Sequence, residues 1–548
     1  MPIHPRYCHF AVFALAIFWW SHLCAAKPLV LEFNEQGALK ISFQGILQQS
    51  SDLIEWADLD PQPTSPRLAP TTADASFYRS KGVAGNGLLQ MPGVFTDFMV
   101  LQRGRPNPIW GHVAPGAEIT VSFDGVTYST LADENGRWEV ELPIMDTNWT
   151  GRTMIIDTGW ETKVIDEIVV GEVWFVSGGA NMNLSLGSIG TVEAQSEIEN
   201  TFDDMLRVFR QEETAARFPQ NSSTGNWNPA VTGFLDPIAA VPYYFGKKLR
   251  AELGVPIGII ECARDAQPIE SYLSEDALAT FPQGQNELYA KFNAYAEWEA
   301  GSGVLDPNSR SELAAQTFNA MISPLAGYEV RGLLWYQGEV DATWNKSIFY
   351  REFLQALAGD LRAQFGAQLP FYTVQLANYI PPSSTGGSLT WTTTQDEIRR
   401  ELPVMAPGGM VVANDIGDPF EMNPTTGKRE IGERLAGWAL LNEYGQTLVP
   451  SGPLYQSAAV VGSTIEIDFS YSSGLTTRDG QPVATLEIRN QGGHWLPATG
   501  VIANGKLIVS RAGMTNPIAV RYAWDANPTG ANLVNGSGLL ASLFITNE

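Results

Sequence analysis

The sequence predicts an α/β domain built on a parallel sheet and flanked by all-β domains. Short apolar runs recur through the middle of the 548-residue chain: GEVWFVSG, PIGIIECA, RGLLWYQG, PFYTVQLANY and MVVANDIG. Helical spacing separates them, as at 348–365 (Phe353, Leu354, Leu357, Leu361, Phe365) and 430–443 (Ile431, Leu435, Trp438). On either side the pattern changes to alternation of period two. Strands alternating with helices imply a parallel sheet covered on both faces.

The elements follow in order. Residues 1–26 read as an export signal, with Arg6, the apolar run Phe10 to Trp20, and the small residues Cys24-Ala25-Ala26 before a cut. That predicts a secreted or periplasmic protein cleaved near Ala26. A lipidated Cys24 is the second reading, and Ser21-His22-Leu23 is a poor approach to it. Residues 27–87 form a small β-rich module, with Leu29, Leu31 and Phe33 alternating, and a linker that includes the Pro-rich stretch 61–70 and the Gly-rich stretch 82–87. Residues 88–165 read as a β-sandwich-like domain. Ile119, Val121 and Phe123 share a face, Asp124-Gly125 is a hairpin turn, and Asn135-Gly136 is a second turn before Trp138, Val140 and Leu142. Residues 166–445 are the α/β domain, and residues 446–548 return to β alternation at Thr464 to Phe469.

Charge and rare residues narrow the function. With 59 acidic and 34 basic residues the formal net charge is −25. That argues against nucleic acid, which needs Lys and Arg to displace counterions. No stretch after the export signal is long and apolar enough for a transmembrane segment. Once the signal leaves, Cys262 is the single cysteine, so no intrachain disulfide forms. Of five histidines only His112 and His494 remain, and both lie in the flanking β regions.

The strand ends carry recognisable text. Ser177-Gly178-Gly179-Ala180-Asn181-Met182 follows the first run, and Phe318-Asn319-Ala320-Met321 precedes Trp335-Tyr336-Gln337-Gly338-Glu339. Gln375-Leu376-Ala377-Asn378, then Asp415-Ile416-Gly417-Asp418-Pro419, Asn423-Pro424 and Glu430-Ile431-Gly432 come in order, and Tyr522-Ala523-Trp524 stands near the end. Together these resemble the sialate O-acetylesterase family of the SGNH hydrolase superfamily, from about Pro92 to Thr546. The resemblance implies a flavodoxin-like SGNH hydrolase domain flanked by all-β domains. It also implies hydrolysis of O-acetyl esters on sugars without a cofactor, so the expected partner is an acetylated sugar or polysaccharide.

In that family a serine attacks the ester, a histidine takes its proton, and preorganised donors hold the oxyanion. This chain departs from the pattern at each point. Ala180 stands at the nucleophile position, with Gly179 where the family has Gln. Asn423 stands at the base position, near Asp415, Asp418 and Glu421. Asp265-Ala266 replaces a Gly-Gly pair, and Val340-Asp341 replaces Ser-Asn. Asn181, Gln337, Glu339, Asp415 and Asp418 are retained. Losing nucleophile and base together costs several powers of ten in rate.

The expectation is therefore an inactive or severely impaired copy that keeps a glycan pocket, with Asn181, Gln337, Glu339 and Trp335 as binding residues. Trp174, Tyr336 and Trp391 are further aromatic candidates. The alternative is an active acetylesterase with a non-standard nucleophile, such as Ser177, Ser185 or Ser188, or with water activated by Asp341, Asp418 or Glu421. Asp415, Asp418 and Glu421 could hold a hard cation, but they read more simply as a solvated loop, and no metal is expected. Cys262 reads as a small core residue.

Overall fold

The computed structural model describes residues 88–301, 305–381 and 387–546. It adds the backbone of six short strands: Val30–Phe33, Leu39–Ser42, Ile46–Ser50, Ala57–Asp58, Arg67–Leu68 and Phe77–Lys81. The export segment 1–26 and the Gly-rich stretch 82–87 lie outside the described residues. The six strands pair antiparallel as two three-stranded sheets.

The chain divides into two compact units. One comprises residues 1–92, 108–141 and 153–164; the other comprises 93–107, 142–152 and 165–548. In the first, Glu118–Phe123 and Val126–Leu131 form the expected hairpin, with Val126 opposite Phe123. Asp124 and Gly125 both take positive φ, as a two-residue type I′ turn requires. Ile119, Val121 and Phe123 are buried along one face. The Asn135-Gly136 turn also forms, but the strand it feeds, Arg137–Leu142, pairs with Asn107–His112 rather than back on the preceding strand.

The second unit holds the central sheet. Its strands are β1 (Thr162–Gly178), β2 (Phe202–Gln211), β3 (Gly225–Val231), β4 (Ile257–Ala263), β5 (Gly332–Tyr336), β6 (Phe371–Val374) and β7 (Gly408–Val411). The five apolar runs of the sequence are β1, β4, β5, β6 and β7. They lie in the order β4-β1-β5-β6-β7, all parallel. Numbered among themselves, these five have the flavodoxin-like order 2-1-3-4-5.

The hairpin β2–β3 extends this sheet beyond β4 and was not expected. Asp203, Asp204 and Arg207 interrupt its apolar pattern. Arg207 is nevertheless buried, because it donates to the carbonyls of Phe98, Glu167 and Asp204. A charged side chain satisfied by main-chain oxygens hides a strand from periodicity.

Beyond the sheet, two four-stranded antiparallel sheets (Leu454–Val461, Thr464–Ser470, Lys506–Ser510 and Thr499–Ala503; Leu496–Pro497, Leu486–Asn490, Pro517–Tyr522 and Phe544–Ile545) enclose their own core. Ile465, Ile467, Leu507 and Val509 meet Ile488, Val520 and Phe544 there. No helix among the described residues is long and apolar enough to cross a membrane.

Candidate active site at the strand ends

The strand order reverses between β1 and β5, where open α/β sheets build their sites. β1 ends at Gly178. Its φ is +148°, and a Cβ there would lie 2.2 Å from the Tyr336 carbonyl oxygen, so only glycine fits. The Gly178 carbonyl accepts from the Tyr272 hydroxyl at 2.8 Å and from the Arg264 amide at 2.9 Å. Gly179 N–H donates to the Tyr336 carbonyl at 2.9 Å. This sharp turn delivers half-buried Ala180 as the first residue of α1 (Ala180–Asn183). The turn therefore presents a methyl group at the end of β1.

Beside it a buried polar cluster forms from three separate segments. Asn181 Nδ2 donates to Glu339 Oε1 at 2.5 Å and to the Met422 carbonyl at 3.1 Å. Asn181 Oδ1 accepts from Lys428 Nζ. Glu339 opens α2 (Glu339–Thr343) just after β5, and Lys428 opens α3 (Lys428–Asn442). Burial lowers the Lys428 ammonium to about 8 against the opposing pull of Glu339. Burial raises the Glu339 carboxyl, while Asn181 and Lys428 oppose that rise.

The sequence reading missed Lys428, although a signal was present. A cation at a helix N-terminus is opposed by the helix dipole. A lysine there points to an anionic partner, and Glu339 is that partner.

A second cluster consumes Gln337. Its Nε2 donates to Asp341 Oδ2 and, at 3.0 Å, to the Gln267 carbonyl. Its Oε1 accepts from the Tyr350 hydroxyl at 2.9 Å. Asp341 also accepts from Ile269 N–H. Burial raises the carboxyls of both Asp341 and Glu270, and Lys346 bridges Glu270 to Glu287. Asp341 thus ties the amide of Gln337 inward.

Asp265 accepts from Asn183 Nδ2 at 3.0 Å, and Glu213 shares that donor at 2.9 Å. Ala266 sits at φ +56°, a conformation a Cβ disfavours.

Arg210 links this edge to the sheet, lying 3.3 Å from both Asn183 Oδ1 and Glu261 Oε1. Burial raises the Glu261 carboxyl to about 7, although Arg210 pulls the other way. The native state therefore keeps a proton that the unfolded chain, titrating near 4.5, has released. Glu261 thus makes stability fall as pH rises from about 4.5 to about 7. Glu261→Gln removes this component. Urea unfolding at about pH 5 and about pH 7 will show a loss on going to the higher pH that is about 2 kcal/mol smaller in the variant.

The remaining sequence candidates fall into three groups. Asn423 is half-buried on the loop that touches Asn181 through Met422, and its Oδ1 is buried with no hydrogen-bond partner among the described residues. Asp415 makes a two-bond pair with Arg434 at 2.8 Å, Asp418 caps Phe420 N–H at 2.7 Å, and Glu421 is exposed. Among the described residues no group of three His, Cys, Asp or Glu could hold a metal ion.

The aromatic candidates are interior. Trp335, Trp174, Tyr336 and Trp391 are all buried. Trp335 donates toward Tyr350 at 3.3 Å and meets Tyr272 edge-on. It is a core residue and presents no face on which a sugar could stack. Phe420, which the sequence reading passed over, is 85% exposed on the Met422 loop.

The substitute nucleophiles are engaged as well. Ser177 donates to the Cys262 carbonyl at 2.7 Å, Ser185 caps the turn Leu186–Ile189, and Ser188 bonds Ser185. Cys262 is buried, which pushes its thiol far up. His112 belongs to the first unit, and His494 is exposed on the turn before Leu496–Pro497.

The chain resembles known proteins over most of its length. The model of the sialic acid-specific acetylesterase family of carbohydrate esterases matches residues 170–440. Sialate O-acetylesterase of Rattus norvegicus is 26% identical over 483 residues, covering 79% of this chain and 89% of that protein. The Mus musculus sialate O-acetylesterase is 27% identical over 509 residues, covering 83% and 92%. A crystal structure of a carbohydrate acetylesterase from Xanthomonas citri superposes with a TM-score of 0.74 at 32% identity, covering 84% of this chain and all of that one. The strand-end text, the family-model match and a likeness that covers 84% of the chain at 32% identity have one reading: the chain belongs to the sialic acid-specific acetylesterase family of carbohydrate esterases.

Proposed function

We propose that this member of the family has lost ester hydrolysis and keeps its strand-end site to bind acetylated sugars. The observation that carries the proposal is Ala180, which the β1–α1 turn presents at the strand end and which the resemblance of the surrounding sequence sets against the family's serine. A methyl group cannot attack a carbonyl, and Asn423 cannot take a proton at neutral pH. Asp341 is occupied by Gln337 and Ile269, so it is a poor base for water, and Glu421 is a solvent-exposed carboxylate. The export signal read at 1–26 puts this binding outside the cytoplasm.

Binding draws on what the site still exposes. Phe420 supplies an aromatic face two residues from Met422, whose carbonyl caps Asn181. Aromatic faces contribute about 0.5–1.5 kcal/mol beyond the area they bury. Titrated with acetylated xylo-oligosaccharides, the chain will saturate, and alkaline deacetylation of the ligand will weaken binding. Phe420→Ala will weaken it by about tenfold. Equal binding of acetylated and deacetylated ligand, or an unchanged Phe420→Ala variant, would contradict the reading.

A further inference from the structure

A cavity of about 320 Å³, lined by none of the residues of the strand-end clusters, lies between two helices and a strand of the C-terminal sheets. Arg351 comes from α4 (Tyr350–Phe365), Arg399 and Arg400 from α5 (Gly387–Glu401), and Tyr455 and Gln456 from β8 (Leu454–Val461). (In chain order α3, Lys428–Asn442, follows both helices.) Leu454 and other apolar groups complete the wall. In a chain of net charge −25, this lining has three guanidinium groups. The two acids that pair with them, Asp396 with Arg399 and Glu397 with both Arg400 at 3.1 Å and Arg351 at 3.5 Å, stand behind the wall on α5, leaving three cations to two anions.

The arrangement is built rather than incidental. Arg399 is only 8% exposed. Asp396, behind it on α5, fixes it through two bonds of 2.8 and 2.6 Å, and its guanidinium lies 5.5 Å from the Tyr455 ring centre. Tyr455 is braced by stacking on Phe544 at 5.4 Å. Arg399 and Arg400 occupy the last turn of a helix, where the dipole favours cations. That does not account for Arg351, which sits in the first turn of α4, where the dipole opposes it. Its partner Glu397 is 3.5 Å away, and the arginine is 41% exposed, so the pair contributes little.

We propose that this cavity binds a hexuronate unit of an anionic polysaccharide. The carboxylate meets the more exposed guanidinium groups of Arg351 and Arg400, since Asp396 holds the fork of Arg399, and the sugar ring lies against the edge of Tyr455, whose ring already packs on Phe544 and Arg399. The volume lies at the lower end of the range for small-ligand pockets, which suits one monosaccharide. The proposal stands apart from the loss of hydrolysis, since the cavity shares no residue with Ala180, Asn181 or Asn423.

Calorimetric titration with methyl glucuronoside, methyl glucoside and sulfate tests it on the full chain. The glucuronoside is expected to saturate and to bind about tenfold more tightly than the glucoside or sulfate. Its affinity is expected to fall with added salt. Arg351→Gln, at an exposed position that should fold normally by thermal melting, is expected to weaken the glucuronoside about fivefold or more and to leave the glucoside unchanged. Tyr455→Leu is expected to weaken it while preserving the salt dependence. Equal binding of the neutral glycoside, sulfate binding as tight as the glucuronoside, no saturation, or an Arg351→Gln variant of unchanged affinity would each overturn the proposal.

Discussion

Lys428→Met will cost about 3–5 kcal/mol of folding stability, measured by urea unfolding at neutral pH. The lysine is 2% exposed, and its ammonium is the cation that faces Asn181 and Glu339. Removing it leaves the Glu339 carboxylate buried without an opposing charge. It also frees Asn181 Oδ1, so the polar cluster at the end of β1 loses two interactions at once. Glu339→Gln in the same chain will recover about 2 kcal/mol or more, because the uncompensated charge then disappears. If Lys428→Met costs less than about 1 kcal/mol, the pair behaves like a surface ion pair and the cluster does not hold the site together.

Ala180→Ser with Asn423→His will raise aryl acetate hydrolysis by about 100-fold or more over the unmodified chain. Each change alone will leave the rate where it was. Nucleophile and base act as a unit, so one without the other restores almost nothing. The turn that presents residue 180 is intact, fixed by Gly178 and the Tyr272 hydroxyl, and the Met422 carbonyl keeps residue 423 beside Asn181.

On the proposed reading the double variant still lacks free oxyanion donors. Asp341 draws Gln337 inward, and Asp265 presents a negative charge next to Asn183. A single oxyanion donor is worth about 10²–10³ in rate. Adding Asp341→Asn and Asp265→Gly will therefore raise the rate again by about tenfold or more. A double variant that stays at the background rate, with the fourfold variant also silent, would show that the strand-end geometry has drifted as well.

The core strands were legible because fully buried parallel strands read as short apolar runs. The same fact misled the reading of Trp335. In a strand buried on both faces an aromatic ring at the strand end packs inward as readily as outward, and composition cannot tell the two apart. Ala180 and Asn423 stand out in the sequence because the text around them, Gly178, Asn181, Pro424 and Gly432, is recognisable. Lys428 escaped because its partner Glu339 is 89 positions away in sequence, and only the fold joins them. Phe420 escaped because it sits in an acidic loop that reads as solvated. The β2–β3 hairpin escaped because Arg207 finds its oxygens in segments far from its own strand. For Lys428 and the hairpin, long-range pairing decided the outcome.

Turnover of an activated acetate ester by the purified, unmodified chain tests the central claim most directly. The rate is expected to equal that of buffer with a folded but unrelated protein at the same concentration, across about pH 6 to about pH 9. Acetate release well above that level, which persists through successive purification steps and tracks the protein peak, would contradict the loss of hydrolysis.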